Sequence, residues 1–301
     1  MKKLTFTLLF ALLIVSCGTK NPYKETDKVY KEKIKVLKKQ IDSQEAKPLP
    51  VVTKTVISID TSYTKVLYKF SEAITDVGSK TLKNGQETKW IGTVNFNLRK
   101  PNLIILHHTA QDSIQQTIRT FTLSRTQVSA HYIIGDDGSV VQMLNDYLRA
   151  WHAGNGSWGK IKDINSCSIG IELDNNGSEP FSEAQISSLM ALLTRLRSEF
   201  GIPRENIIGH SDIAPTRKID PSTLFPWKTL AENGFGLWVD EILPTAPADF
   251  NIEQGLRIIG YDTSNLSAAI MAFKRHFIQT ETTSTLDQKT INSIYNIYLK
   301  S

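Results

Sequence analysis

A stretch near residue 210 carries side chains that can bind a metal ion. His210 follows a short apolar run, and Lys218 and Asp220 come shortly after it, between Pro215 and Pro221. In an extended chain Lys218 and Asp220 lie on the same side, because alternate side chains share a face. A neutral imidazole and a carboxylate suit Zn²⁺. The stretch therefore predicts two metal ligands, His210 and Asp220, and requires a third from elsewhere in the chain.

The third ligand is expected from a histidine at the end of another buried strand. Residues 103–106 form a continuous apolar run after Pro101, which predicts a buried strand with His107 and His108 at its end. Neighbouring residues of a strand point to opposite faces, so the two histidines cannot both enter one site. The spacing alone leaves the choice between them open.

Two further segments predict strands around this run. Residues 130–135 and 139–143 predict a hairpin, because the Asp-Gly pair at 137–138 is typical of a tight turn. Residues 168–173 alternate in polarity, which places Glu172 on the face opposite three aliphatic side chains.

Helices are predicted between and after these strands. Ser182 and Gln185 form a capping box that begins a helix, whose apolar stripe runs to Gly201, and residues 112–127 are a second helix candidate. Strands interleaved with helices indicate the α/β (α+β) fold class, with a mixed central β-sheet flanked by helices. Three short helical stretches then predict a small C-terminal three-helix domain: 252–259, 266–277 and 286–299.

The N-terminal residues predict export and a membrane tether. Lys2 and Lys3 precede an uncharged apolar stretch, 4–15, which is too short to span a bilayer and is typical of a secretory signal peptide. Residues 14–18, Ile-Val-Ser-Cys-Gly, resemble a bacterial lipobox, so Cys17 is the predicted lipidation site. We expect a cell-envelope lipoprotein in the outer membrane that faces the periplasm. The alternative is an ordinary signal peptide with an incidental cysteine.

Composition excludes other classes of protein. Two cysteines in 301 residues cannot support a disulfide scaffold, and the apolar content is sufficient for a core. A formal charge of +5 argues only weakly for nucleic acid, so no nucleic-acid partner is expected, and we expect a monomer. The charged segment 24–47 predicts a solvated stalk or a single exposed helix, with a coiled-coil helix as the alternative. No fold is predicted for residues 51–97.

Five segments occur in an order that resembles one enzyme family: 106–110 (Leu-His-His-Thr-Ala), 129–132 (Ser-Ala-His-Tyr), 151–154 (Trp-His-Ala-Gly), 165–172 (Asn-Ser-Cys-Ser-Ile-Gly-Ile-Glu) and 210–221. Together they resemble the type 2 N-acetylmuramoyl-L-alanine amidases, relatives of the peptidoglycan recognition proteins. The resemblance covers roughly two-thirds of the chain, from Leu98 onward. With it we expect a signal peptide, a stalk, an unassigned extension, a zinc amidase domain and a peptidoglycan-binding-like helical domain, at 1–16, 17–50, 51–97, 98–247 and 248–301.

The resemblance also implies a role for each motif residue. The Zn²⁺ ligands are His107, His210 and Asp220, Glu172 is the general base, and Lys218 stabilises the oxyanion. The implied reaction is hydrolysis of the amide between N-acetylmuramic acid and L-alanine in peptidoglycan or muropeptides, for cell-wall turnover or recycling. Four residues are expected to line the groove that binds sugar and stem peptide: His131, Trp151, His152 and Arg217. Cys167 is expected to be a small buried residue and not a ligand.

Two other functions fit the same fold. A peptidoglycan-binding receptor without catalysis would need the groove but not the full set of catalytic residues. A protein that only anchors the membrane to the wall would need Cys17 and the helical tail, which in turn either binds glycan or simply caps the core. The complete ligand set together with Glu172 and Lys218 favours catalysis.

Overall fold

The structure is a computed structural model that describes residues 24–45, 80–91, 93, 97–98 and 101–301. The predicted signal peptide and Cys17 lie outside these residues, as does most of the extension 51–97. Within the described part of the chain, no helix is both long enough and apolar enough to cross a membrane.

A six-stranded mixed sheet forms the centre of the protein. The strands are β1 (Thr88–Trp90), β2 (Asn97–Leu98), β3 (Leu103–His108), β4 (Tyr132–Ile134), β5 (Val140–Gln142), β6 (Leu148–Arg149), β7 (Ser168–Leu173) and β8 (Ile207–Gly209). The central sheet has the order β1-β5-β4-β7-β3-β8, in which β4 and β5 pair antiparallel and the other neighbours pair parallel. Strands β2 and β6 pair separately. The predicted mixed sheet is confirmed, and β4–β5 is the predicted hairpin.

Eight helices accompany the sheet in the described residues: α1 (Lys24–Glu45), α2 (Ile114–Thr122), α3 (Glu183–Phe200), α4 (His210–Ile213), α5 (Trp227–Glu232), α6 (Ile252–Ile259), α7 (Leu266–Phe277) and α8 (Gln288–Tyr298). The last three are the predicted C-terminal helices. Ser182 caps α3 by accepting the Gln185 N–H, and Gly201 ends it at a φ of 65°. The Gln185 amide donates instead to the carbonyls of Ile134 and Asp174, so the capping box forms only its Ser182 half and Gln185 ties α3 to the sheet.

Alternation along β3 and β7 sorts their side chains onto two faces. Ile104 and Leu106 pack in the main core, which also contains the apolar stripe of α3, whereas Leu103 and Ile105 pack on the other face. His107 shares the face of Ile105 because it is two residues further along β3. Glu172 lies opposite His107 in the parallel β3–β7 register. The face turned away from α3 therefore carries both residues at the carboxyl ends of these strands.

The sheet domain begins earlier than the predicted boundary at residue 98. Strand β1 pairs with β5, and Leu82 is buried in the main core. Residues 80–91 therefore belong to the sheet domain, although no fold is predicted for them from the sequence.

Helix α1 packs against the sheet domain and is not the fully solvated stalk that its charge predicts. Tyr30 is only 5% exposed and packs against a small apolar cluster made of Leu144, Leu148 and Ala150. Ile34 and Leu37 are partly buried against the same cluster, whereas Val29 and Val36 remain exposed. One side of α1 is thus docked, and its remaining surface faces solvent.

The C-terminal helices have a core of their own and contact the sheet domain through a buried polar group. Asp212, on α4, accepts hydrogen bonds of 2.7 Å from the Gly209 N–H, the Tyr261 hydroxyl and the Nδ1–H of His276. The His276 ring stacks on Trp227 with centroids 3.8 Å apart. We call Asp212, Tyr261 and His276 the Asp212 cluster. It joins the C-terminal helices to the turn that precedes His210.

Candidate active site

Three buried side chains bring one donor atom each to a common point. His107 comes from the end of β3, His210 begins α4 directly after β8, and Asp220 follows in the next loop. The Nδ1 atoms of the two histidines are 2.9 Å apart, and they lie 3.1 and 3.0 Å from Oδ2 of Asp220. Such a cluster can hold a metal ion. The structure thus brings the three predicted ligands together.

His108 is not part of this cluster. It follows His107 on β3 and therefore points away from it, and its Nδ1 accepts a hydrogen bond of 3.2 Å from the Ser222 N–H. The choice that spacing left open is decided by the face that α3 covers, because His107 lies on the opposite face.

The ionisation of the cluster suits metal binding. Burial lowers the pKa of His107 to about 4, and the neighbouring His210 acts in the same direction. Burial opposes ionisation of Asp220, but the two imidazoles beside it hold the pKa of its carboxyl well below the usual range. Near neutral pH His107 is therefore neutral and Asp220 is a carboxylate, which are the forms that bind metals.

A cavity of about 440 Å³ opens over the cluster. Glu172 and Lys218 both line it, so the structure brings the two predicted catalytic residues to the same site as the ligands. Burial, and to a smaller extent the negative charge of Asp220, raise the pKa of Glu172 to about 8 against the opposing charge of Lys218. A carboxyl group that titrates near neutral pH can accept a proton and return it.

The four predicted groove residues do not share one environment. Trp151, His152 and Arg217 line the cavity. His131 has no exposed surface: its Nε2 donates to the Leu148 carbonyl at 2.9 Å, and its Nδ1 accepts the Gly170 N–H at 3.0 Å. This placement corrects the expectation that His131 faces the groove, since both ring nitrogens are used to join β4 to its neighbours.

Arg217 and Trp151 differ in how their polar atoms are used. The exposed Arg217 guanidinium donates to the carbonyls of Ala153 and Asn155, both at 2.8 Å, and so braces that segment. The indole Nε1 of Trp151 is buried and has no hydrogen-bond partner among the described residues. Trp151 therefore presents an unused donor beside the cavity, whereas Arg217 already has acceptors.

Sequence reasoning gave no role to three polar residues that lie within the motif segments. Asn165 accepts the N–H groups of His152 and Ala153, Ser168 contacts His152, and Asp212 forms the cluster described above. Their only sequence signal is a polar side chain next to buried strands. Cys167 is half-buried and stands outside the metal cluster, as expected.

Comparison with known proteins decides the family. The family model for N-acetylmuramoyl-L-alanine amidase matches residues 97–223. The N-acetylmuramoyl-L-alanine amidase AmiD of Escherichia coli is 33% identical over 220 residues, which cover 62% of this chain and 79% of AmiD. The chain belongs to the N-acetylmuramoyl-L-alanine amidase family. This amidase is also similar to the 1,6-anhydro-N-acetylmuramyl-L-alanine amidase AmpD of Haemophilus influenzae, at 40% identity over 103 residues, covering 34% of this chain and 56% of AmpD.

Solved structures agree with this assignment. AmiD from E. coli, in complex with the substrate anhydro-N-acetylmuramic acid-L-Ala-D-γ-Glu-L-Lys, matches with a TM-score of 0.59 and 31% identity over 66% of this chain and 89% of AmiD. AmpDh3 from Pseudomonas aeruginosa, in complex with anhydromuramic pentapeptide, matches with a TM-score of 0.59 and 27% identity over 67% of this chain and 93% of AmpDh3. The fold class and the family inferred from the motifs are confirmed, and the chain is an enzyme of this family.

Proposed function

We propose that this amidase binds zinc through His107, His210 and Asp220 and hydrolyses the amide between N-acetylmuramic acid and L-alanine. The substrate class is peptidoglycan or the muropeptides released during cell-wall turnover. The observation that carries the proposal is the convergence of the three donor atoms beneath a cavity that Glu172 and Lys218 also line. The muropeptide complexes of AmiD and AmpDh3 support the same class of substrate.

The donor set fits zinc in type and in spacing. Two imidazole nitrogens and one carboxylate oxygen form a three-ligand set that keeps a coordination position open. A tetrahedral zinc with bonds of about 2.0–2.1 Å separates its donors by about 3.3 Å. The observed separations of 2.9, 3.0 and 3.1 Å are only a few tenths of an ångström shorter. When bound, zinc polarises a carbonyl and lowers the pKa of a water molecule towards neutrality.

Glu172 and Lys218 complete the chemistry. Glu172 takes a proton from the attacking water and returns it to the leaving amine of L-alanine, which its pKa of about 8 in the metal-free protein allows. The Lys218 ammonium stabilises the negative charge that develops on the amide oxygen. The proton balance closes, because the proton removed from water leaves with the product amine.

The cavity suits a muropeptide in size and character. Its volume of about 440 Å³ lies within the range of small-molecule sites. Apolar side chains on its wall can cover the aliphatic parts of a stem peptide: Phe121, Val128 and Ile219. A receptor without catalysis would require the cavity alone, so the arrangement of ligands, Glu172 and Lys218 favours hydrolysis.

The test uses the purified full chain. We expect bound zinc and the release of peptides that begin with L-alanine from muropeptides, and a chelator should abolish the release. Glu172→Gln should lower activity by about 10²-fold or more while zinc remains bound, since general acid–base catalysis contributes at least this much. Glu179→Gln, an exposed carboxyl outside the cavity wall, is the matched control and should behave as wild type.

The outcomes separate the alternatives. Wild-type activity of Glu172→Gln would contradict the general-base role, and activity that resists the chelator would contradict the metal. Binding of muropeptides without any release of peptide would instead favour the receptor.

We also propose that the enzyme is an outer-membrane lipoprotein that faces the periplasm and is anchored through Cys17. The support is the sequence pattern of residues 2–18, which precede the described helix α1. Cys17→Ala should release the protein into the soluble fraction. If that variant still sediments with membranes after a salt wash, the lipid anchor is not what holds it.

A further inference from the structure

The segment Trp151-His152-Ala153-Gly154 contacts the outer nitrogens of both metal-binding histidines. The Nε2 of His107 lies 3.0 Å from Nδ1 of His152. The Nε2 of His210 lies 3.0 Å from the carbonyl oxygen of Ala153. Two consecutive residues, one through its side chain and one through its backbone, therefore contact the two imidazoles on the sides that face away from the metal cluster.

The hydrogen bonds that link Ile164, Ser168, His152 and His107 each have a defined donor and acceptor. The Ser168 hydroxyl donates to the Ile164 carbonyl at 2.7 Å, so its oxygen accepts from Nε2–H of His152 at 3.0 Å. The neutral His152 ring then has a lone pair on Nδ1, which accepts Nε2–H of His107. His107 is left with a lone pair on Nδ1, the atom that lies in the metal cluster.

The proton of the second histidine is placed in the same way, by an acceptor on its outer nitrogen. A backbone carbonyl can only accept, so Ala153 receives Nε2–H of His210, and the Nδ1 lone pair of His210 also faces the cluster. Two lone pairs and a carboxylate oxygen about 3 Å apart repel one another unless a cation lies between them.

Other residues hold the segment in this place. Asn165 Oδ1 accepts the backbone N–H groups of His152 and Ala153 at 3.1 and 3.0 Å. Gly170 on β7 leaves room for the imidazole: a Cβ at this position would come within 2.4 Å of the His152 ring. The glycine between Ile169 and Ile171 thus has a physical reason, because any side chain there would displace His152.

We propose that His152 is a positioning residue, which fixes the tautomer of His107 so that its Nδ1 lone pair is available to the metal. The inference rests on the zinc site of the proposed function and deepens it. It replaces the predicted contact of His152 with substrate by a contact with a ligand. Partners of this kind orient metal-binding histidines and typically change metal affinity by about 10- to 100-fold when they are removed.

Two substitutions at one position separate the hydrogen bond from the shape of the side chain. In His152→Asn the amide oxygen stands the same number of bonds from the backbone as Nδ1 and can accept from His107. In His152→Leu the side chain has a similar volume and no acceptor. We expect the zinc dissociation constant, measured by competition with a chromogenic chelator on the full chain, to rise about 10- to 100-fold in His152→Leu. His152→Asn should stay within about threefold of wild type.

Kinetics provide the second measurement. At saturating zinc, KM for a muropeptide should be the same in His152→Leu and wild type, because the side chain does not hold substrate. A zinc affinity that is unchanged in His152→Leu, or an equal loss in both variants, would overturn the proposal. A raised KM with unchanged zinc affinity would return His152 to a substrate-binding role.

Two further variants keep the test valid if His152→Leu fails to fold. Ser168→Ala removes the acceptor for Nε2–H of His152, together with the hydrogen bond to the Ile164 carbonyl, and should weaken zinc binding by a few-fold. Unchanged zinc binding would contradict the role of Ser168 in fixing the His152 proton. Gly170→Ala should weaken zinc binding through displacement of the same ring. A wild-type chain that binds no zinc would refute the proposed function itself, whereas a zinc-binding, active wild type with an unaffected His152→Leu would refute only this inference.

Discussion

Substitution of Asp212 tests whether the C-terminal helices hold in place the end of the sheet domain that carries His210. The carboxylate accepts three hydrogen bonds of 2.7 Å, from Gly209, Tyr261 and His276. Asp212→Ala leaves all three donors buried without an acceptor. Asp212→Asn keeps one oxygen and replaces the other by an amide, whose N–H groups the Tyr261 hydroxyl can accept.

The magnitudes follow from counting these donors. A buried donor left unpaired costs about 1–3 kcal/mol, so three predict a loss of about 3–9 kcal/mol in the free energy of unfolding for Asp212→Ala. The total stability of a protein is only about 5–15 kcal/mol, so this variant should be close to unfolding. Asp212→Asn should lose about 1–3 kcal/mol, and Tyr261→Phe, which deletes one bond to a charged acceptor, should lose about 1.5–3 kcal/mol.

Urea unfolding of the full chain measures these losses, and zinc affinity measured in parallel reports on His210, which follows Gly209 directly. The expected order of stability is wild type first, then Tyr261→Phe and Asp212→Asn, then Asp212→Ala. In the Asp212→Ala background, Tyr261→Phe should cost less than it does in wild type, because its acceptor is already missing. If Asp212→Ala stays within about 1 kcal/mol of wild type, the Asp212 cluster does not join the C-terminal helices to the sheet domain.

Three other predictions follow from the same structure. Burial raises the pKa of Glu172 from 4.5 to about 8, so the folded metal-free protein holds a proton that the unfolded chain releases, and its stability should fall as pH rises through this window. The unfolding free energy of wild type minus that of Glu172→Gln should therefore fall as pH rises from 4.5 to about 8. A difference that does not change with pH would be evidence against the raised pKa. Tyr30→Ala should detach α1 and expose residues 24–45 to amide exchange, while muropeptide hydrolysis persists; unchanged protection would show that the contact with Leu144 and its neighbours is not what docks the helix. Deletion of residues 248–301 removes Tyr261 and His276, so activity on small muropeptides should fall together with binding to sacculi. Full activity on small muropeptides would instead indicate that these helices only bind the wall.

Local patterns predicted the elements that carry the site. The apolar run at 103–106 predicted β3, which extends two residues further through His107 and His108, and the alternation at 168–173 predicted β7 with the observed bounds. The choice between His107 and His108 could not come from the same pattern. Alternation shows that the two side chains point to opposite faces of the sheet, but only the packing of α3 on one face shows that His107 lies on the other.

The roles that could not be predicted from the sequence depend on contacts between residues far apart in the chain. His131 and His152 both lie in motif segments, yet one is bonded on both sides to backbone and the other contacts His107. Asp212 meets Tyr261 and His276, which lie 49 and 64 residues further along the chain. No spacing rule anticipates contacts at such separations. The docking of α1 was missed for a related reason: its charge predicts solvation, and the partners that bury Tyr30 lie more than 100 residues further along the chain.

The docked helix would also limit how far an enzyme anchored through Cys17 could reach from its membrane. A lipid on Cys17 would be joined to Lys24 by a link that spans at most about 25 Å when fully extended. Were α1 detached, the chain between it and the sheet domain, residues 46–79, could add roughly 110 Å of reach. With α1 docked, a lipid on Cys17 would be connected to the enzyme through α1 and not through residues 46–79. An amidase anchored in this way would reach, and cut, only the layer of the wall nearest its own membrane.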